Sequence, residues 1–151
     1  MKREPAVTDS TCLIGLERIG RLDLLPSLFD PIAAPPKVIE EFGSSPSWLQ
    51  VLSPTNRQAV FALQLTVDLG EAEAIALALE RNWRIILDDR KARLVARRLG
   101  LKVIGTVGVL LRAKRKGIVS RIAPLLQDLE AAGFYLSEAL KREALRLAGE
   151  G

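Results

Sequence analysis

The stretch W83-R-I-I-L-D-D89 decides the fold. It climbs through β-forming apolar residues and stops on two adjacent aspartates, Asp88 and Asp89. A short apolar run closed by polar residues marks a strand buried on both faces. Such a strand has no structural use for a doubly negative ending. On either side lie helical patterns, G70-E-A-E-A-I-A-L-A-L-E-R-N82 before it and D89-R-K-A-R-L-V-A-R-R-L-G100 after it, followed by the apolar L101-K-V-I-G105. Strands alternating with helices predict an α/β domain with a mostly parallel sheet covered on both faces, a three-layer α/β/α arrangement.

The rest of the chain extends the pattern. E4-P-A-V-T-D9 reads as a first strand ending on Asp9, and S10-T-C-L-I-G-L-E-R-I-G20 as a helix that Ser10 or Thr11 can cap. R21-L-D-L-L-P-S-L-F29 reads as a second short helix broken near Pro26, and D30-P-I-A-A-P-P36 leaves room for a brief strand. Pro36 suits the first turn of a helix over K37-V-I-E-E-F42. Residues 106–117 form a further helix with Thr106 as its cap, and two C-terminal helices follow, each preceded by a serine at capping position, Ser120 and Ser137. Phe134–Leu136 between them reads as a turn or a minor edge strand. With no long linker and no repeat, residues 1–151 are expected to form one domain.

Composition excludes whole classes of chemistry. The 151-residue chain has no histidine and a single cysteine, Cys12. Ser-His-Asp and Cys-His catalysis, a disulfide and a thiolate zinc cluster are therefore ruled out within the chain. No apolar run reaches the roughly 20 residues of a membrane span and no signal peptide is visible, so a cytoplasmic location is expected. The formal charge of +4 is unevenly spread: residues 81–116 carry twelve Lys/Arg against two Asp/Glu. Arg90, Arg93, Arg97, Arg112, Lys114 and Arg115 in this block are candidates to hold an RNA backbone. An ordinary solvated helix face is the plain alternative.

In an open parallel sheet the ligand site lies beyond the carboxyl ends of the strands, where strand order reverses. If the first strand pairs with Trp83–Leu87, Asp9 and Asp88 meet on one rim. Glu40 and Glu41 lie on the helix after Pro35-Pro36, and Glu71 and Glu73 lie in the first turn of theirs. First-turn glutamates also stabilise a helix dipole without any function, and Asp89 is well placed to cap the helix after it. Several carboxylates in one mouth repel each other unless a cation neutralises them. Oxygen ligands alone favour Mg²⁺ or Mn²⁺.

The blocks V7-T-D-S-T-C-L-I-G-L-E-R-I-G-R-L-D-L-L-P-S-L-F29, P35-P-K-V-I-E-E-F42, L69-G-E-A-E-A-I-A-L-A-L-E80, I86-L-D-D-R-K-A-R-L-V-A-R-R-L-G100 with its continuation to Gly117, and the ending from Gly133 to Glu150 carry a resemblance. Together they resemble the PIN-like nuclease superfamily, in its branch of compact prokaryotic proteins similar to VapC-type toxins. The resemblance implies a metal-dependent ribonuclease with four acids around Mg²⁺ or Mn²⁺. Matched by position, these are Asp9, Glu41, Glu71 and Asp88, supported by Thr11, Glu40, Glu73 and Asp89. It also implies a small antitoxin partner, while the apolar side of the C-terminal helix, with Leu140, Leu145 and Leu147, leads to the expectation of a homodimer. Two departures from the family pattern stand out: glutamate at the third acidic place, where toxin members usually carry aspartate, and Cys12 where this branch usually has proline. A nucleic-acid or protein-binding module without catalysis is the competing reading. A receiver domain fails on motif order, and dinucleotide binding fails because Gly105–Gly108 lacks the third glycine.

Overall fold

The computed structural model describes residues 3–151, so the first two residues of the expected domain lie outside the described residues. Five parallel strands form one sheet: β1 (Glu4–Thr8), β2 (Phe29–Ala34), β3 (Leu49–Val51), β4 (Arg84–Ile86) and β5 (Val103–Ile104), in the order β3-β2-β1-β4-β5. Helices α1 (Ser10–Arg18), α2 (Leu24–Leu28), α3 (Pro36–Phe42), α4 (Arg57–Gln64), α5 (Leu69–Arg81), α6 (Arg90–Arg98), α7 (Thr106–Arg115), α8 (Ala123–Ala131) and α9 (Glu138–Leu147) connect and cover them.

The apolar runs are continuous because both faces of the sheet are buried. Ala6, Ile32, Ala34 and Ile86 face a core shared with α1, α2, α7 and α8, while Val7, Ala33, Ile85 and Leu87 face a second core under α4, α5 and α6. Alternate residues of one strand thus enter opposite layers, and the expected three-layer α/β/α fold is what the chain forms. Among the described residues, no helix is long and apolar enough to cross a membrane.

The local expectations met mixed outcomes. Asp89 caps α6 and Ser137 caps α9, as their positions suggested. The cap of α1 is Asp9, which accepts from the Cys12 amide; neither Ser10 nor Thr11 does this. Thr106 is the first residue of α7, whose N-cap is Gly105, and its hydroxyl is turned elsewhere. Ser120 does not cap α8 either. The amides of Ile122 and Ala123 donate to Glu150, brought from the far end of the chain. Capping by sequence assumes a local partner, and here a distant carboxylate outcompetes the serine. β2 has six residues, more than the brief strand expected, because β1 and β3 pair with it on both sides. Phe134–Leu136 forms no strand. Pro26 lies inside the short α2, in its first turn, where a missing N–H costs no helical bond.

Candidate metal centre at the carboxyl edge of the sheet

Strand order reverses between β1 and β4, and this is the crevice where open α/β sheets place ligands. Asp9 follows β1 directly, and its amide donates to the Ile86 carbonyl at 3.0 Å. Its side chain, 4% exposed, is fixed on both oxygens. Oδ1 accepts from the Cys12 amide at 2.9 Å, and Oδ2 accepts from the Asp88 amide at 3.0 Å. The carboxylate therefore ties the start of α1 to the turn after β4. Asp88 is fixed by a third strand end. The Thr106 amide donates to its Oδ1 at 2.8 Å and the Thr106 hydroxyl to its Oδ2 at 2.6 Å.

Burial pushes the Asp9 carboxyl well above the usual range, and the Asp88 charge adds to the rise, as does Glu71 more weakly. Asp88 is raised too, chiefly by burial, although the Thr106 hydrogen bonds and the Arg93 charge oppose it. Glu71 is pushed up to about 7 by burial, then by Asp68 and Asp89, with a smaller push from Glu41. It also completes a capping box with Asp68 at the start of α5.

The remaining acids divide. Glu41 is exposed, accepts from the Ser10 hydroxyl at 3.0 Å and lies against Gly70, where a Cβ would stand 2.6 Å from its Oε1. Glu40 instead pairs with Lys37 on the surface of α3. Glu73 turns to structure: its Oε1 accepts from the Lys37 amide at 3.2 Å and its Oε2 pairs with Arg57 at 3.0 Å, joining α5 to α3. Asp89 lines the cleft while its Oδ2 caps α6 through the Ala92 amide. Thr11 lines the same cleft, a cavity of about 1050 Å³ that also takes in Asp88, Glu71, Arg90 and Arg93.

The basic block does not make one surface. Arg90 and Arg93 belong to the cleft, and exposed Arg97 lies one turn along α6. Arg112, Lys114 and Arg115 lie near the other end of α7. This helix starts at the carboxyl edge and its ten residues run back about 15 Å toward the amino edge. Arg112 pairs with Glu4 at the start of β1, and Lys114 donates to the Ala148 carbonyl and to Glu150. Charge summed along the sequence could not show this division, because helix α7 carries it from one rim to the other.

Two contributions were missed. Arg93 donates to the Leu87 carbonyl at 3.1 Å and supplies the countercharge beside Asp88. At Gly105 a Cβ would collide with its guanidinium and stand 3.1 Å from Asp88 Oδ1. Thr106, read as a cap, is the clamp on Asp88. The signal was available in its place two residues beyond β5, at the third strand end on the same rim.

A hard cation suits this donor set. Asp9 and Asp88 hold oxygens whose ionised form the fold disfavours, so a cation is stabilising where a proton otherwise binds. Among the described residues, no three acidic or cysteine side chains are drawn together as one ligand group. Asp9 and Asp88 are thus the core pair, with Glu71 and Glu41 at its border.

Glu71 gives a test in the metal-free protein. Its folded value of about 7 lies above the ordinary 4.5, so the fold binds its proton more tightly than the unfolded chain does. Stability therefore falls as pH rises between those values and levels off above them. Discounted for its half-exposed position, the loss is about 1 kcal/mol, or roughly 2–4 °C in Tm. Thermal melts from about pH 5 to about pH 8 in chelator should show this fall, and Glu71→Gln should flatten it. Identical curves for both proteins would remove Glu71 from the cluster.

A switch-point carboxylate pair in a three-layer α/β/α fold, with arginines on one wall, is an arrangement suited to chemistry on phosphate esters. The chain matches the family profile DUF3368, described as a PIN domain, over residues 5–150, and it belongs to that family. PIN domains are generally nucleases that use divalent metal ions. No curated protein matches the chain significantly.

Proposed function

We propose that this PIN-domain protein is a Mg²⁺- or Mn²⁺-dependent endoribonuclease and the toxin half of a cytoplasmic toxin–antitoxin pair. The observation that carries the reading is the buried Asp9–Asp88 pair, both carboxyls raised chiefly by burial and Asp9 further by the Asp88 charge, beside a cleft that Asp88 lines with Arg90 and Arg93. Asp9 and Asp88 would hold the cation, and Glu71 and Glu41 would border it. The chemistry such a cation supplies is Lewis acidity toward a phosphodiester and a lowered pKa for attacking water. Arg90 and Arg93 bind the backbone by charge and leave base sequence unread. Asp88, clamped by Thr106, keeps its place without help from substrate. The absence of histidine is compatible with this chemistry, since the carboxylates need no imidazole base.

The antitoxin reading rests on the cleft's two signs of charge and on its exposed apolar wall of Tyr135, Leu140 and Leu147. A short tail with a basic side chain among the carboxylates and apolar side chains on that wall fits both. Glu41→Lys should weaken such a complex. A second copy of the chain on the same apolar wall is the corresponding homodimer.

One observation favours the binding module without catalysis: every oxygen of Asp9 and Asp88 already accepts a hydrogen bond within the fold. Millimolar Mn²⁺ separates the two readings. Saturating a site about a hundredfold above its Kd stabilises the fold by about 2.7 kcal/mol, or roughly 5–10 °C in Tm. A Tm unmoved by Mn²⁺ and by Mg²⁺ would leave only the binding module.

A further inference from the structure

At the opposite, amino edge of the sheet lies a second cavity of about 520 Å³. Glu4 and Arg84 are the first residues of β1 and β4, and they line it with Arg3, Arg112, Arg115 and Lys116. Five cations thus line it with one carboxylate, and one of them, Arg3, also pairs with Asp30 at 3.5 Å and donates to the Pro26 carbonyl. β1 separates this basin from Asp9 by its five-residue length, about 17 Å, so the two regions are distinct.

The basin is built rather than accidental. Arg84 Nε donates to Glu4 Oε1 at 2.5 Å, and Arg112 donates to the same oxygen. Burial pushes the Glu4 carboxyl up, but hydrogen bonds from Arg112 and Arg84 more than offset it and hold it below its ordinary value. The Arg112 guanidinium lies over the Phe29 ring, 5.4 Å from its centre. The Arg84 and Arg112 side chains are only 17% and 22% exposed, so their rotamer freedom is largely spent. Each commits one of five N–H donors to Glu4 and keeps the rest of its fork.

Helix chemistry accounts for part of this charge and not for the rest. Arg112 and Arg115 fall in the last turn of α7, where cations complement the dipole by roughly 0.3–1 kcal/mol each. That explanation does not reach Arg84 and Arg3, which arrive from β4 and from just ahead of β1 at the same cavity. Convergence from three elements, with two preset guanidinium forks, matches the way phosphate oxygens are recognised.

We infer that the amino-edge basin is a phosphate-binding site, for a free phosphate, a nucleotide phosphate or a backbone phosphodiester, separate from the carboxylate cleft. Arg84 and Arg112 form its floor, and Arg115 closes it from the exposed end of α7. The test is run in excess chelator, which keeps divalent cations out of the carboxylate cleft. The probes are inorganic phosphate, a nucleoside 5′-monophosphate and an unphosphorylated single strand of about ten nucleotides, each followed by calorimetry at fixed ionic strength. Arg115→Glu, an exposed position, should weaken binding by about tenfold or more, the loss of one charged contact. Arg142→Glu makes the same charge change on α9, outside both cavities, and should alter binding by less than about twofold. Arg115→Gln provides a milder variant should the reversal unfold the protein, and it should weaken binding in the same direction. Saturable binding of phosphate and nucleotide marks a small-anion site, and binding of the strand alone marks a backbone contact. No saturable binding of any probe, or equal losses in the Arg115 and Arg142 variants, would overturn the inference.

Discussion

Asp88→Asn is expected to lower Mn²⁺-dependent RNA cleavage by about a thousandfold, roughly 4 kcal/mol in the barrier, and to leave the fold standing. The amide retains Oδ1 as acceptor for the Thr106 N–H. Its NH₂ can donate to the Thr106 hydroxyl, which turns from donor to acceptor, so both clamp bonds survive with reversed polarity on one. Asp9→Asn removes the same charge but cannot make this exchange. Both Asp9 oxygens accept from backbone amides, and an NH₂ group would face an N–H that cannot reverse. That variant should lose about 2 kcal/mol of stability as well as activity. Melting curves and cleavage rates for the pair check both statements. Cleavage by Asp88→Asn at the wild-type rate, with metal-dependent Tm unchanged, would dismiss the carboxylate pair as the reaction centre.

The second large effect is on folding and lies far from the cleft. Glu150→Ala should cost about 2–3 kcal/mol and lower Tm by roughly 5–10 °C. The Glu150 side chain is 6% exposed and takes the Ile122 and Ala123 amides and the Lys114 ammonium. Burial pushes its carboxyl up, but Lys114 and the two amides outweigh this and hold it at about 2. Its contribution is present above the ordinary 4.5 and is lost as pH falls toward 2. Wild type and Glu150→Ala should therefore converge in stability under acid. A constant difference across that range would show that the effect comes from lost packing.

The sequence made four of the five strands and the two central acids legible because buried parallel strands are written as short apolar runs, and a carboxylate at the end of such a run is conspicuous; the three-residue edge strand Leu49–Val51 is too short and too exposed to show this signal. Asp9, Asp88 and the α6 cap at Asp89 follow from that rule alone. Partner choice was not legible where it depended on distant segments. Glu150 displaced Ser120 as the cap of α8 across 27 residues, and Thr106 turned from its own helix to Asp88. The cations of residues 81–116 form one block along the chain, yet α7 carries part of them to the far edge of the sheet. Glu71 and Glu73 share a helical turn and diverge by rotation: one faces the cleft, the other ties α5 to α3.

Gly105 gives the cleft an adjustable balance between cation and anion. The space that its missing methyl leaves open is where the Arg93 guanidinium rests beside Asp88. Alanine there would evict the arginine without altering a single formal charge. The carboxylates would then meet a divalent ion without the guanidinium as a rival, their hydrogen bonds from Cys12, Asp88 and Thr106 remaining, and the grip on phosphate would slacken. Tighter metal with weaker substrate is the reciprocal signature to look for in Gly105→Ala. One carbon atom would thus shift the protein along an axis between ion storage and turnover.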